Sequence, residues 1–517
     1  MLKARAFAQR WGWVVLTLYL ATFFVQKTNL ITSDLGRHLT NGRVILEAGQ
    51  VFSTNFYSYT FPEFATVNHH WLFGVFMHLL HQVGGFPVLT LANVGLILLT
   101  FGLMLRYCWQ HFGARATSIA TLILLPLLTK RVEIRPETVS LLLSAVFFLL
   151  LQKYESGTLK TPTLLVAIVL LNIVWVNTHL FFVLGGALIG YFWLRAAARK
   201  NWQQFRVLGL LGLLSATSWL LNPVGIAGLL EPFGIFKEYG YQVLENQPIW
   251  VLLRVLPQPI YWYLLVGLLG VVGLLFWAIW QRRHESHRFV DGAYALLLSA
   301  GSLYLYRLSN FTALLIMPLL AEALSQFLHR YQRQLKSALK STAGTMCASV
   351  AGFALTVSLL GSGMLTPELT TTGLGVFETN DQAAKFWHRS NLEGPIFNNY
   401  DIGGYLIYHL YPEEKVFIDN RPEAYPASFF TESYIPAQEN EQHWEELQNK
   451  YQFNAIFFNR RDLTPWGQAL LVRTIQNENW VPVFVDTWTI IFARKNSVNQ
   501  AVIDQYQLPK EMFSISP

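Results

Sequence analysis

Apolar residues gather in runs of helical, membrane-spanning length through the first two thirds of the chain and then change to short runs separated by polar helical patterns. A membrane span needs about 20 mostly apolar residues. Runs of this kind lie at 11–26, 87–107, 116–130, 138–152, 162–178, 180–195, 207–222, 261–280, 290–306, 311–328 and 344–363, a pattern that predicts about eleven transmembrane helices. The run 71–83 is too short to cross and is broken by Gly84-Gly85, so it reads as an interfacial helix with Trp71 at headgroup level. Past Gly363 the apolar runs shrink to strand length: Gly394–Phe397, Lys415–Ile418, Ala455–Phe458, Val481–Val485 and Thr489–Ala493. Helical patterns at Glu439–Tyr451 and Trp466–Gln476 alternate with them, which predicts a small α/β domain. The expected architecture is a polytopic α-helical membrane protein with a C-terminal extracytoplasmic α/β domain. It comprises a membrane module over 1–363 with a first outer loop at 27–85, the α/β domain over 364–495, and a loose polar end at 496–517.

Composition agrees with this pattern. Of 517 residues, 53% are hydrophobic and 13% charged, about half the charge of a soluble domain. The net charge of +7 does not point to nucleic acid, because the basic residues form short clusters between apolar runs. Arg106 and Arg115, Lys153 and Lys160, Arg195 to Arg206, Arg282 to Arg288, and Arg330 to Lys340 fall in alternate loops. By the positive-inside rule this places the N-terminus in the cytoplasm and the C-terminal domain outside. Lys3, Arg5 and Arg10 precede the first apolar run with no small-x-small cleavage site after it, so that run reads as an uncleaved span. Cys108 and Cys347 fall near cytoplasmic helix ends and the exported parts contain no cysteine, so no disulfide framework is expected and a bacterial inner membrane is favoured.

The candidate chemistry lies in the predicted outer loops. Asp34 follows the first span in Thr32-Ser33-Asp34-Leu35-Gly36-Arg37-His38. It reads as a base or metal ligand that activates an acceptor hydroxyl; the alternative, compatible with this, is that Ser33 or Asp34 is the N-cap of a helix over Leu35–Ala48. The second outer loop, Lys130-Arg131-Val132-Glu133-Ile134-Arg135-Pro136-Glu137, runs against the positive-inside rule. Arg135, with Lys130 and Arg131, suits a phosphate or diphosphate, and Glu133 or Glu137 could be a second acid; ordinary capping by Pro136 and Glu137 is the alternative. Histidines concentrate in the first outer region at His38, His69, His70, His78 and His81. They suit interfacial packing or, for His69 and His70 with Asp34, a divalent cation such as Mg or Mn. Asn177 and His179 sit at a helix junction, Asn222-Pro223-Val224-Gly225 marks a turn, and Glu245, Arg307 and Asn310 add polar groups to the same face, where convergence defines a site. In the tail, Asn398–Tyr405 is a Gly-rich strand-to-helix turn of a kind that can cradle an anion, though not G-x-G-x-x-G. Val416–Glu423 ends another strand, with Asp419 and Arg421 expected to take a structural role by pairing with the first loop.

These residues together resemble the GT-C superfamily of membrane glycosyltransferases, which includes oligosaccharyltransferases, protein O-mannosyltransferases and lipid A aminoarabinose transferases. Similarity is closer to its uncharacterised bacterial members. They show patterns like Trp175-Val176-Asn177-Thr178-His179, Asn222-Pro223-Val224-Gly225, Phe397–Leu406 and Val416–Arg421, and the likeness covers roughly 10–495. The resemblance implies a polyprenyl-phosphate or diphosphate sugar donor and transfer to a cell-envelope glycan, lipid or protein on the outer face. It matches Asp34 to the acceptor-activating acid and Arg135 with its neighbours to the second-loop part of the site. Trp71 and Tyr57 would stack on sugar or prenyl groups. His70 stands where related chains often have Glu. A flippase for lipid-linked glycans and a non-catalytic envelope-assembly protein are the alternative functions. The gathering of polar groups on one face disfavours the flippase.

Overall fold

The computed structural model describes residues 2–234, 238–340 and 368–513. Helices lie over ten of the eleven expected spans; the eleventh, 344–363, is outside the described residues, as is Cys347. The helices are α1 (Leu2–Thr22), α2 (Leu35–Ala48), α3 (Trp71–Phe112), α4 (Ala114–Leu128), α5 (Glu137–Glu155), α6 (Thr161–Thr178), α7 (Val183–Ala198) and α8 (Trp202–Ser218). They continue with α9 (Ile226–Gly234), α10 (Ile249–Val255), α11 (Pro259–Gln281), α12 (His287–Tyr304) and α13 (Ser309–Lys340). Among the described residues, six helical segments are long and apolar enough to cross a membrane: 71–112, 137–155, 161–178, 180–198, 259–281 and 306–332. α3 is broken where expected. Gly84 and Gly85 leave the helical region, and Gly85 has φ 64°, which an L side chain rarely adopts.

The chain divides into two compact units. Unit 1 holds 1–26, 90–232 and 243–374. Its core is built from helix faces with Trp175, Phe147, Phe182, Phe192 and Phe311 at the centre, while Leu213, Val266 and Leu269 point outward. Such a surface needs an apolar solvent.

Unit 2 joins 27–89, 233–242 and 375–517, so the loop after the first span folds with the C-terminal region. Its further elements are α14 (Gln382–Ser390), β1 (Ile396–Asn398), α15 (Gly403–Leu410), α16 (Ile435–Glu439), α17 (Glu441–Tyr451), β2 (Ala455–Asn459), α18 (Pro465–Gln476), β3 (Trp480–Val485), β4 (Thr489–Arg494) and α19 (Gln500–Tyr506). The sheet order is β1-β2-β4-β3, with β1 and β2 parallel and the other pairs antiparallel. Its core is aromatic, including Phe397, Phe417, Tyr434, Trp444 and Phe458, and Tyr59 and Phe61 of the early loop pack on it.

One expected strand is not in the sheet. The backbone of Val416 pairs instead with Tyr57 and Tyr59 (3.1 and 3.2 Å). Asn398 completes the segment's bonding: it accepts from the Phe417 N–H and donates to the Ile418 carbonyl. With both edges satisfied in this way, Lys415–Ile418 has no need of a ladder partner. The end expected to be loose also packs, since Val502 and Ile503 of α19 are buried and the Leu508 N–H bonds Pro482.

Glycines set how α2 meets α15. A Cβ at Gly36 would lie 2.9 Å from both the Gly404 carbonyl oxygen and Tyr408 Cβ, and one at Gly403 would lie 2.5 Å from the Ile418 oxygen. These contacts hold the N-terminal ends of α2 and α15 beside the turn after Ile418. Gly36→Ala is therefore expected to destabilise unit 2 by about 1–3 kcal/mol and to lower its thermal midpoint. Gly95→Ala, with nothing within 4 Å of the added carbon, is expected to leave it unchanged. Equal midpoints for the two variants, measured on the full chain in detergent, would refute the close-packing account.

Candidate functional site

In unit 2 the N-cap position of α2 is Asp34, one of the two residues the sequence offers for it, but its carboxylate makes no capping hydrogen bond. Asn420 Nδ2 donates to Asp34 Oδ1 instead, and Arg37 Nη2 stands 3.6 Å from the same oxygen. Arg37 Nε in turn donates to Asn420 Oδ1 (3.2 Å). The acid is thus aimed by an amide and a guanidinium from outside the capping geometry, and it stays half-exposed, at 27% of its side chain.

The turn that supplies Asn420 is itself braced. Fully buried Asp419 accepts from Arg421 Nε (2.8 Å) and Nη2 (2.6 Å), and its backbone N–H donates to the Tyr425 hydroxyl. Arg421 Nη2 also reaches Asn55 Oδ1 (2.6 Å). Burial works against the Arg421 charge, but Asp419 outweighs it and raises the guanidinium's pKa. The Val416–Glu423 segment therefore has the expected structural role and, through Asn420, also bears on Asp34.

Asp401 is a further acid here that sequence reasoning left in a turn. It immediately precedes Ile402, the N-cap of α15. Its carboxyl is pushed up to about 7 by burial, then by Asp462 and Asp34. Beside it the ring of Tyr400 stacks on Tyr241 at 4.1 Å between centroids. The missed signal was the Asp-Ile-Gly-Gly sequence, whose Gly403 lets the start of α15 sit against the Ile418–Asp419 backbone.

The other candidates in unit 2 divide. Tyr57 is fully buried, its hydroxyl donates to Asn41 (2.9 Å) and Arg421 lies over its ring at 5.6 Å. No face is open to a sugar, so the expected stacking role is corrected to a core role. Trp71 is half-buried at the start of α3. His70 meets His38 edge-on at 5.3 Å, His69 lies 4.0 Å from His70, and His69 Nδ1 is 3.1 Å from the Val67 oxygen. Among the described residues no group of three or more His, Cys, Asp or Glu converges as a metal site, so Asp34, His69 and His70 do not form one.

Unit 1 gathers the second-loop residues. Arg131 bridges Glu137 (3.1 Å) and Glu245 (2.9 Å), and Arg135 bridges Glu245 (2.9 Å) and Glu133 (2.6 Å). Arg307 donates to Glu137 (2.8 Å) and Asn246 (3.2 Å). Burial opposes ionisation of Glu245, but Arg135, Arg131 and Arg307 outweigh it and hold the acid down at about 2. His179 Nε2 lies 4.0 Å from Glu137 and its Nδ1 meets Ser140 Oγ, which also accepts from Trp175. Asn177 donates to the Ile173 and Leu221 carbonyls and so ties α6 to the end of the next helical pair. Lys130 reaches Gln258 (3.4 Å) and has no carboxylate partner within 4 Å among the described residues.

No protein-family model matches the sequence, and no curated protein matches it. Solved structures do. The chain is similar to the archaeal oligosaccharyltransferase AglB from Archaeoglobus fulgidus, with TM-score 0.53 and 12% identity over 95% of this chain and 75% of that one. It is similar to ArnT from Cupriavidus metallidurans in the apo state, with TM-score 0.52 and 15% identity over 96% of this chain and 99% of that one. The fold is GT-C. The identities are too low to carry site residues across, so the roles of this chain's side chains rest on its own geometry.

The raised Asp401 carboxyl gives a pH signature. Its folded-state pKa lies above the unfolded value, so the folded state binds the extra proton and stability falls as pH rises from about 4 to about 7. Asp401→Asn removes that loss. The variant's thermal midpoint relative to wild type is expected to be higher at pH 8 than at pH 5, by a few degrees. A difference that does not change with pH would contradict a perturbed Asp401.

Proposed function

We propose that this GT-C protein is a glycosyltransferase that moves a sugar from a polyprenyl-phosphate-linked donor to a cell-envelope acceptor on the outer face of a bacterial inner membrane. The observation that carries this reading is the Asp34 carboxylate, which occupies a capping position without capping and is aimed by Asn420 and Arg37. A carboxylate freed from a structural duty and left half-exposed is suited to take a proton. AglB, one of the solved structures with this fold, was determined in complex with a dolichol-phosphate, which supports a lipid phosphate on the donor side.

In the reaction, the acceptor hydroxyl oxygen attacks the anomeric carbon and its proton passes to Asp34. The bond from that carbon to the lipid phosphate oxygen breaks, and the phosphate leaves with the electron pair.

The test is release of polyprenyl phosphate in membranes supplied with native lipid-linked sugars. Asp34→Asn, at equal protein level, is expected to reduce release by about 10²–10⁴-fold. Equal release from both proteins would remove Asp34 from the chemistry. No release from wild type under the same supply would favour a non-catalytic envelope-assembly role.

A further inference from the structure

Unit 1 carries a second polar concentration, at the other end of α5 from Glu137. Glu155 is gripped by Arg195 through both oxygens (2.9 and 3.1 Å) and by Arg199 (2.9 Å). Arg195 also bonds Asp291 and the Tyr191 hydroxyl. Asp291 accepts from Arg288 (3.2 Å), which forks onto Glu322 (2.8 and 2.6 Å). Arg282 joins Glu322 (2.9 Å) and Glu285 (2.6 Å). The arginines Arg195, Arg199, Arg282 and Arg288 balance the acids Glu155, Glu285, Asp291 and Glu322, so the network has no net charge.

Beside it lies a cavity of about 300 Å³ whose lining includes His111, Gln152, Glu155, Arg199, Arg288 and Glu322. That size is at the lower end of small-ligand sites. Arg195 and Arg288 are saturated by their carboxylates. Arg199 is not: it is 33% exposed and beyond Glu155 its donors have no partner among the described residues. The Gln152 side-chain amide likewise has none, and His111 uses Nδ1 on the Tyr107 carbonyl, leaving Nε2 available. Three groups able to bond a phosphate thus stand near two carboxylates within one cavity.

The depth of the cavity follows from the aromatics at the same end of the helices. Trp202, at the start of α8, is 58% exposed, and Trp280, at the end of α11, is 66% exposed. Arg283 lies over the Trp280 ring at 4.7 Å. Exposed tryptophan beside arginine is the composition of a membrane–water interface.

We propose that this cavity binds the headgroup of a zwitterionic phospholipid that carries a phosphodiester and a primary ammonium. Arg199, Gln152 and His111 receive the phosphate; Glu155 and Glu322 accept from the ammonium N–H groups. A neutral network offers no net attraction to an anionic lipid, whereas paired opposite charges match a zwitterion. A choline headgroup fits less well because it has no N–H to donate. Glu155 and Glu322 repel a free phosphate that brings no ammonium. This site is independent of the chemistry assigned to Asp34.

The test is lipid retention by the purified full-length protein in native mass spectrometry, with phosphatidylethanolamine, phosphatidylcholine and phosphatidylglycerol supplied in turn. Phosphatidylethanolamine is expected to be retained about tenfold more tightly than either of the others. That preference is expected to be lost in Arg199→Ala and in Gln152→Ala, the second of which breaks no ion pair and so preserves the network. Inorganic phosphate alone is expected to leave the thermal midpoint unchanged. Equal retention of the three lipids, undiminished retention in both variants, or stabilisation by phosphate matching that by phosphatidylethanolamine would overturn the proposal.

Discussion

The arrangement of unit 2 depends on the close approach of α2 to α15, which only glycine allows. With Gly36 against the Gly404 carbonyl and Gly403 against Ile418 and Asp419, two helices about 350 residues apart in sequence bring their N-terminal ends together. The turn after Ile418 then reaches Asp34 with the Asn420 amide. A larger residue at Gly36 would push the two helices apart, and one at Gly403 would push α15 off the Ile418–Asp419 turn, each by about the width of a methyl group. That is enough to lose a hydrogen bond whose working range is a few tenths of an ångström. The position of the candidate base is therefore set by backbone packing, and the polar contacts follow from it.

Unit 1 obeys a different constraint, which is that charges among apolar helices must be neutralised locally. At each end of α5 it answers with a compact network of arginines and acids. Around Glu137 the pairs are three Arg and three Glu with Lys130 outside the balance. Around Glu155 they are four and four, with a cavity alongside. Among the described residues, Lys130 has no carboxylate within 4 Å in the first network, and Arg199 has donors beyond its Glu155 contact in the second.

Much of this was legible in the sequence where a single periodicity governs. The long apolar runs became helices because one apolar face or surround determines them, and the kink at Gly84-Gly85 and the helix Leu35–Ala48 followed from glycine and capping signals. The convergence of Arg131, Arg135, Glu137, Glu245, Arg307 and His179 was also readable, because their loops alternate predictably between faces. Lys415–Ile418 was misread because a short apolar run does not say which backbone it will pair with. Tyr57 was misread because a loop aromatic can turn inward once a distant segment arrives to cover it. Asn420, Arg37 and Asp401 escaped for the same reason: their relation to Asp34 is made by contacts across more than 360 residues, except for Arg37, whose role depends on Asn420.

The central claim is that Asn420 acts through Asp34, and a double-mutant cycle on polyprenyl-phosphate release tests it most directly. Wild type, Asp34→Asn, Asn420→Ala and the double variant would be compared at equal protein level. The account predicts that Asn420→Ala slows release on its own and adds no further loss once Asp34 is replaced. Independent losses that multiply in the double variant, or an Asn420→Ala protein as fast as wild type, would contradict it.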